Sequence, residues 1–333
     1  MKITVLGAGA WGTALALVLA DNKNDVTLWT YKSEQAEIMR RERVNPRLKG
    51  VALPDELRIS DTFDSLYESD MIVIGTPSYT IRDMARKIAP LIRSDAVIVP
   101  VSKGIERDTA LCMTQVIEEE LGGKGRLVVL SGPSHAEEVA RRVPTGCVAA
   151  SEDGEAAVLV QDAFMNPNFR VYTNTDVIGV ELGAALKNVL ALCCGISDGM
   201  GLGDNTKALL MTRGMTEMAR LGVAMGGRKE TFAGLSGMGD LIVTCTSRHS
   251  RNRTCGVLIG EGKTVDEAMR EVGATVEGYY AAFSAHQLAR KLGVEMPICE
   301  CAYRMLYEDQ PVESVVEQLM TRNKRREADE TWI

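Results

Sequence analysis

Two repeating patterns divide this chain, and the change from one to the other limits its fold more than any other feature. Up to about residue 175, apolar runs alternate with amphipathic stretches. Near-continuous apolar strands that alternate with helices are typical of a parallel sheet covered on both faces. The predicted strands are Lys2–Leu6, Val26–Trp29, Met71–Ile74, Ala96–Val101, Leu127–Leu130, Cys147–Ala150 and Arg170–Tyr172, and the predicted helices between them include Ala10–Ala20, Ile81–Leu91 and Leu111–Leu121.

After Asp176 the strand-like runs largely stop, and apolar residues recur with helical spacing. We therefore predict an α/β chain in which a Rossmann-like, doubly wound parallel sheet (residues 1–175) precedes an all-helical domain (residues 176–333). The predicted helices of the second half are Gly179–Ile196, Leu209–Leu221, Glu277–Leu292, Ile298–Glu308 and Val312–Thr321, with a capping box at Thr264-Val265-Asp266-Glu267 opening another.

The net charge of -7 bears on the partners of the chain. Proteins that bind nucleic acid or membrane surfaces usually carry a basic excess, which this chain lacks. Its one basic run, Lys324–Arg326, is followed at once by acidic residues and predicts a solvated tail. We expect small-molecule partners, with no nucleic acid and no membrane, and the sequence also allows a homodimer.

Eight cysteines and three histidines limit the metal and redox chemistry. No two cysteines form a CxxC pair, and no Cys/His cluster has the spacing of a zinc site. The pair Cys193-Cys194 lies in an apolar helical stretch, where free cysteine behaves as a small hydrophobic residue. We predict reduced thiols, no metal and a cytoplasmic location.

The uncharged segment from residue 3 to residue 20 has the length of a signal peptide or a short membrane helix. Its early glycines, at Gly7, Gly9 and Gly12, would interrupt such a helix. The segment begins with β-forming residues and ends with helix-forming ones. It is therefore predicted to be a strand, a turn and a helix.

That turn, Gly7-Ala8-Gly9-Ala10-Trp11-Gly12, fits the pattern GxGxxG in the context that a dinucleotide-binding turn requires. In such a turn the first glycine allows a tight bend, the second lets the backbone approach a pyrophosphate, and the third lets the helix pack closely on the strand. The N-terminus of the helix then offers free N–H groups to the phosphates. The segment predicts an NAD or NADP site.

The residues that follow the second predicted strand leave the choice between NAD and NADP open. The acidic residue that usually binds the ribose 2′-hydroxyl is missing there, and the stretch has Tyr31 and Lys32 instead. An ammonium group at Lys32 could accept a 2′-phosphate.

Lys187 lies in a helical stretch whose neighbouring positions are apolar or small. A lysine there either extends its ammonium group to the surface or is held in a pocket, and the sequence alone does not decide between the two. Burial, and a second cation such as Lys103, would lower its pKa. A lysine of that kind could serve as general acid toward a ketone and as general base toward an alcohol.

A basic stretch precedes the predicted helix Thr254–Ile259. Its arginines Arg248, Arg251 and Arg253, with hydroxyl and amide donors beside them, suit a phosphate site, although a charged surface loop has the same composition. Just before it, a glycine turn could direct Asp240 inward to accept a substrate hydroxyl or tune a lysine, or could form an ordinary Asx turn.

Several segments together resemble the bacterial type of NAD(P)-dependent glycerol-3-phosphate dehydrogenase. The resemblance runs from residue 5 to residue 278 and is carried by VLGAGAWGTALA, VSKGIE, SGPSHAEEV, GVELGAALKNV, GLSGMGDLIVTCTSRHSRNR and TVEG. It implies hydride transfer between NAD(P)H and dihydroxyacetone phosphate to give glycerol 3-phosphate, a precursor of glycerophospholipids. It also implies that residues 1–175 bind the cofactor and that residues 176–333 bind substrate and carry the catalytic group.

The resemblance further implies roles for individual residues. The implied catalytic residues are Lys187, which would transfer the proton, Lys103, which would contact both substrate and cofactor, and Asp240. The implied substrate residues are Lys103, Gly132, Ser134, Asp240, Ser250, Arg251 and Asn252. The implied cofactor residues are Gly7, Gly9, Ala10, Trp11, Gly12, Tyr31, Lys32, Lys103, Ala136, Arg251, Val276 and Glu277.

Two features of the sequence depart from the family pattern. Ala10 stands where the family often has serine, and the alanine would lack one hydrogen bond to a phosphate. The pair Tyr31-Lys32 replaces a more usual basic or histidine pair. Two other functions stay open: a related 3-hydroxyacid or ketopantoate-type reductase, and a nucleotide-binding module without catalysis. A carboxylate substrate would not need the basic stretch around Arg251, and a module without catalysis has little use for a buried lysine.

Overall fold

The computed structural model describes residues 1–324 and 327, and the chain forms two compact units. The first comprises residues 1–102 and 113–177, and the second comprises residues 103–112 and those from 178 onward. Residues 325, 326 and 328–333 lie outside the described part, and with them most of the predicted solvated tail.

Strands and helices alternate through most of the first unit. Its strands are β1 (Lys2–Leu6), β2 (Asp25–Trp29), β3 (Val44–Asn45), β4 (Leu48–Ala52), β5 (Arg58–Ser60), β6 (Met71–Ile74), β7 (Val97–Pro100), β8 (Arg126–Leu127), β9 (Val129–Ser131), β10 (Thr145–Ala150) and β11 (Phe169–Asn174). Its helices are α1 (Ala10–Asp21), α2 (Ser33–Glu42), α3 (Ile81–Ile88), α4 (Met113–Leu121), α5 (Ala136–Val139) and α6 (Gly154–Phe164).

The main sheet of this unit has six parallel strands in the order β5-β2-β1-β6-β7-β8. Counted within the sheet, this is the doubly wound order 3-2-1-4-5-6, whose direction reverses between β1 and β6. Every residue of β6 and β7 is buried, as expected of strands covered on both faces. The predicted fold class is therefore confirmed.

The prediction of one parallel sheet is wrong for the last strands. Residues 127–130 divide between two sheets, because β8 joins the main sheet whereas β9 pairs antiparallel with β10. The strand β11 completes this smaller sheet, parallel to β10. The sequence also missed β5, which has three residues with one buried apolar side chain, Ile59, and is too short to show a period.

Residues 3–20 form most of β1, the glycine turn and most of α1, as predicted. Seven of the twelve residues of α1 are buried, and its apolar side chains contribute to the core of the first unit. Burial within the unit accounts for the uncharged composition of this segment.

The second unit is helical. Its helices are α7 (Val177–Gly199), α8 (Gly203–Ala224), α9 (Asp240–Thr246), α10 (Arg251–Gly260), α11 (Val265–Val272), α12 (Glu277–Leu292), α13 (Pro297–Tyr307) and α14 (Val312–Met320). Helix α8 begins before the predicted start at Leu209. Its first turns are mostly exposed and lack the apolar spacing, so the sequence pattern did not indicate them. The predicted capping box is present, with Thr264 and Glu267 each bonded to the backbone of the other.

Helix α7 is the centre of this unit. Among the described residues it is the one helix long and apolar enough to cross a membrane, and 89% of its most apolar stretch is buried. A helix that is apolar on all sides is expected in the core of a protein of this size. Apolar side chains of the other helices pack with those of α7 in one core, which explains why α7 is hydrophobic.

Candidate active site

Lys187 lies in the middle of α7 with 7% of its side chain exposed. Its Nζ donates hydrogen bonds to Asp240 Oδ1 and to Thr244 Oγ1, both at 2.6 Å. The side chain therefore does not extend to the surface. It is held in a polar pocket inside an otherwise apolar core, and such burial of a charge is stable only with partners of this kind.

Asp240 and Thr244 come from one short helix, α9, which sequence periodicity did not identify. Four residues apart, they lie on the same face of α9. A π-helical turn at Leu235–Gly239 leads directly into Asp240, and such turns are frequent at functional sites. At Gly183 of α7, an added Cβ would come within 2.8 Å of the Ser236 carbonyl oxygen, so only glycine lets this turn approach.

Lys103 shares the same carboxylate. Its Nζ lies 2.6 Å from Asp240 Oδ2, so that one nearly buried aspartate bridges two ammonium groups. The Asp240 side chain thus does not form the ordinary Asx turn that its glycine-rich surroundings allowed, because both of its carboxylate oxygens are bonded to lysines. Two cations around one anion leave the cluster with an excess positive charge when both lysines are protonated, which suits a site for a negatively charged oxygen.

This environment lowers the pKa of Lys187 to about 8. Burial is the largest cause because it penalises the charged form, and the positive charge of Lys103 acts in the same direction. The carboxylate of Asp240 opposes both effects through its charge and its hydrogen bond. An amine with a pKa close to neutrality can both give and take a proton under ordinary conditions.

Thr244 is a residue that the sequence analysis missed as a partner of Lys187. The hydroxyl also donates to the Asp240 carbonyl oxygen at 2.6 Å, which fixes its rotamer. The available signal was its spacing of four residues from Asp240, which places both on one helical face if that stretch is helical.

A second cluster lies beside the first, where α10 begins. Ser250 caps the helix by accepting a hydrogen bond from the Arg253 backbone N–H. The buried side chain of Asn252 donates to Asn188 Oδ1 at 2.9 Å and accepts from the Gly278 backbone N–H at 2.8 Å. Asn188 follows Lys187 on α7, so the chain itself connects the two clusters.

Two of the three arginines in the basic stretch, Arg253 and Arg251, have different surroundings. The guanidinium of Arg253 is paired with Asp198, at 2.6 and 2.8 Å, and so is not free to bind a phosphate. Arg251 is exposed at the N-terminus of α10 and makes no hydrogen bond or ion pair with the described residues. A helix N-terminus with a free guanidinium beside it is suited to an anion.

The glycine turn of the first unit fits the phosphates of a dinucleotide. Gly7 has a φ of +113°, which favours glycine, and a Cβ on Gly12 would lie 2.0 Å from the Gly7 carbonyl oxygen. Gly9 has open space at its Cβ position, and no side chain caps the N-terminus of α1. Trp11 Nε1 is buried without a partner among the described residues. These features leave backbone donors and one indole N–H for a bound ligand.

The residues after β2 carry no carboxylate at its end. Tyr31 is 74% exposed, and the Lys32 Nζ lies 5.4 Å from the centre of its ring. This exposed pair offers a cation where a ribose 2′-phosphate would approach and no acceptor for a 2′-hydroxyl. The geometry is compatible with both NADP and NAD.

The remaining predicted residues divide between the units. Gly132 has a φ of +149°, Ser134 Oγ donates to its carbonyl oxygen at 2.9 Å, and Ala136 is the first residue of α5; all three belong to the first unit. Val276 and Glu277 lie in the second unit at the N-terminus of α12, next to the Gly278 N–H that binds Asn252.

Comparison with known proteins identifies the family. The model of the NAD-dependent glycerol-3-phosphate dehydrogenase N-terminus matches residues 2–157, and that of the C-terminus matches residues 176–317. Glycerol-3-phosphate dehydrogenase [NAD(P)+] from Bacillus pumilus is 51% identical, with 99% of this chain and 96% of the relative covered. The enzyme of the same name from Fusobacterium nucleatum is 47% identical over all of both chains.

A solved structure agrees with the sequence comparisons. The crystal structure of glycerol-3-phosphate dehydrogenase from Coxiella burnetii has a TM-score of 0.92 and 41% identity, and the match covers 96% of this chain and 98% of that one. The similarity thus includes both units and the segments that hold Lys187 and the glycine turn. The chain belongs to the family of NAD-dependent glycerol-3-phosphate dehydrogenases.

Proposed function

We propose that this chain interconverts dihydroxyacetone phosphate and glycerol 3-phosphate with NAD(P)H, and that Lys187 transfers the proton. One observation carries the assignment of Lys187: a buried ammonium group is held between Asp240 and Thr244, next to a second lysine on the same carboxylate. Membership of the family supports the reaction.

In the reducing direction, the ketone carbon gains a hydride and the ketone oxygen gains a proton. The nicotinamide, when bound, supplies the hydride. Lys187 Nζ gives its proton to the oxygen and regains one from water, and in the oxidising direction the neutral amine takes the proton of the hydroxyl. A pKa of about 8 makes both forms accessible near neutral pH.

Lys103 and Asp240 support this transfer. The Lys103 ammonium would stabilise the negative charge that develops on the oxygen and would contact both substrate and cofactor. Asp240 holds the two ammonium groups 2.6 Å from its own oxygens. Because their hydrogen-bond partners are already in place, neither side chain has to be ordered at the moment of reaction.

The phosphate of the substrate would bind at the N-terminus of α10. Arg251 would supply charge-assisted hydrogen bonds, and Ser250 and Asn252 would supply polar contacts, with Gly132 and Ser134 lining the pocket. Binding at this group, away from the reacting carbon, orients a small substrate that has few other contacts to offer.

Residues 1–175 would bind NAD or NADP, and residues 176–333 would bind substrate and supply the proton. Gly7, Gly9, Ala10, Trp11 and Gly12 would contact the pyrophosphate region. The further cofactor contacts would come from Tyr31, Lys32, Lys103, Ala136, Arg251, Val276 and Glu277.

The product, glycerol 3-phosphate, is a precursor of glycerophospholipids. All eight cysteines are buried thiols outside any disulfide, which supports the proposed location in a reducing, cytoplasmic compartment. The acidic net charge supports small-molecule partners rather than nucleic acid or a membrane, and a homodimer is compatible with the sequence.

The test is an absorbance assay with NADH and NADPH against dihydroxyacetone phosphate, ketopantoate and a panel of 3-oxo acids. We expect oxidation of the cofactor with dihydroxyacetone phosphate alone. Turnover of a 3-oxo acid or of ketopantoate instead would support the related reductases and overturn the proposal. Cofactor binding without turnover of any substrate would support a nucleotide-binding module.

A further inference from the structure

Lys103 begins a short segment, Lys103–Cys112, that belongs to the helical unit although the residues on both sides of it belong to the first unit. The segment folds back on itself through an antiparallel bridge between Ile105 and Cys112. The Glu106 backbone N–H also donates to the Leu111 carbonyl oxygen at 2.9 Å. Lys103 is thus carried by a small closed loop.

Helix α12 anchors this loop. Ser284, which is 1% exposed, donates its hydroxyl to the Ile105 carbonyl oxygen at 3.1 Å. The preceding residue on the helix, Phe283, lies with its ring centre 4.1 Å below the guanidinium carbon of Arg107. Ile105 and Cys112 are buried in the core of the helical unit.

The same helix also contacts Asn252, one of the proposed phosphate-binding residues at the start of α10. The Gly278 backbone N–H in its first turn donates to Asn252 Oδ1 at 2.8 Å. Gly278 and Ser284 are six residues apart on a continuous helix, which corresponds to about 9 Å along its axis. A single rigid element therefore contacts both the loop of Lys103 and the proposed phosphate-binding residue.

We propose that Ser284 is a positioning residue for Lys103, and that α12 sets the distance between the lysine pair and the phosphate-binding residues. This inference rests on the proposed function, because it assigns Ser284 a role only through Lys103. Without the hydroxyl, a buried carbonyl oxygen two residues from Lys103 loses its side-chain partner, and the loop can relax away from Asp240.

The position of Lys103 has an electrostatic consequence that can be measured. The groups that set the charge environment of Lys187 are Asp240 and Cys245 from α9 and Lys103 from the loop, and Lys103 lowers the pKa of Lys187. If the Lys103 ammonium moves away, the pKa of Lys187 rises. In the reducing direction the activity falls as Lys187 loses its proton, so this fall would shift to higher pH.

The experiment measures kcat against pH for dihydroxyacetone phosphate reduction by the full chain. We expect Ser284→Ala to lower kcat by about tenfold. We also expect it to move the alkaline limb of the pH profile, where kcat falls as Lys187 loses its proton, to higher pH. Ser284→Thr, which keeps the hydroxyl, should restore both. Phe283→Leu, which removes the ring beneath Arg107 but no charge, should move the limb in the same direction, and it serves as the second variant if Ser284→Ala does not fold.

Thr216→Val is the matched control. The Thr216 hydroxyl also donates to a backbone carbonyl oxygen, that of Thr212 at 3.2 Å, but this bond lies within α8, and among the described residues the hydroxyl makes no hydrogen bond to the loop. It should leave the alkaline limb in place, as a purely structural loss would.

Two further outcomes separate this inference from the proposed function. If Lys103→Met moves the limb and the variants of Ser284 and Phe283 do not, the positioning role is wrong and the proposed function stands. If Lys103→Met does not move it either, Lys103 does not control the pKa of Lys187, and the assignment of the lysine pair fails with it.

Discussion

At the scale of single residues, the site depends on a charge placed where the sequence pattern favours apolar side chains. The apolar helix around Lys187 could be predicted from its sequence, and so could the two possible fates of the ammonium group. The sequence offered Asp240 as a group that could tune a lysine, but it could not show the pairing with Lys187, because Asp240 is 53 residues away in the chain and meets Lys187 only in the folded unit. Local spacing carries no information about such a contact.

Thr244 provides a test of how precisely the ammonium must be held. Thr244→Val keeps the shape of the side chain and removes the oxygen that lies 2.6 Å from Lys187 Nζ. We expect kcat to fall by about tenfold or more, because the lysine loses one of its two partners. Thr246→Val is the control, since the Thr246 hydroxyl lies on the same helix and donates only to the Ile242 carbonyl oxygen. Equal rates in the two variants would contradict a role for Thr244.

Arg251 provides a test of the phosphate site. Arg251→Ala should lower kcat/KM for dihydroxyacetone phosphate by about ten- to a hundredfold, mainly through KM, because it removes a charge-assisted hydrogen bond to the phosphate. Arg248→Ala removes an exposed arginine three residues earlier and should stay close to the parent chain. Steady-state kinetics at saturating cofactor checks both. An unchanged KM for Arg251→Ala would remove this residue from the phosphate site.

At the scale of elements, the long apolar helices were predictable and the short connecting ones were not. The bounds of α12 were predicted as observed, because its apolar spacing and the left-handed Gly293 that ends it are strong local signals. The π-helical turn before α9 has no such pattern, and its position depends on packing against α7. The residues that complete the site therefore come mainly from the elements that the sequence shows least clearly.

A substitution at Gly183 tests how closely α7 and the π-helical turn before α9 approach each other. Gly183→Ala places a methyl group 2.8 Å from the Ser236 carbonyl oxygen, so the turn that carries Asp240 must shift. We expect the free energy of unfolding to fall by about 1–3 kcal/mol and kcat to fall with it. Gly154→Ala, at the start of α6, meets nothing within 4 Å and should change neither. Chemical denaturation and kinetics are the measurements; a fully active, fully stable Gly183→Ala would show that the approach is not tight.

At the scale of the whole molecule, the change of pattern near residue 176 predicted a Rossmann-like unit followed by helices, and the structure confirms that class. The segment Lys103–Cys112 could not be predicted to belong to the helical unit, because it lies between β7 and α4 in the chain. The antiparallel pairing of β9 with β10 was also missed. Strand direction depends on connections in space, which apolar runs alone do not report.

The thiols test the packing inside each of the two units. All eight cysteines are buried, and burial raises the pKa of several of them, including Cys112 and Cys299. Reaction with a thiol reagent requires both access and the thiolate form. We expect slow reaction of the native chain and rapid titration of eight thiols after denaturation. Rapid reaction before unfolding would contradict the burial, and fewer than eight thiols afterwards would indicate disulfides.

The most direct measurement of the central claim is the turnover of Lys187→Ala together with its affinity for NADPH. Loss of a general acid should lower kcat by about 10²–10⁴-fold. The affinity for NADPH should be unchanged, because Lys187 is not among the proposed cofactor contacts and the glycine turn that binds the pyrophosphate belongs to the other unit. Lys187→Met, which fills the space with an apolar side chain, should behave in the same way. Turnover close to that of the parent chain in either variant would contradict the account.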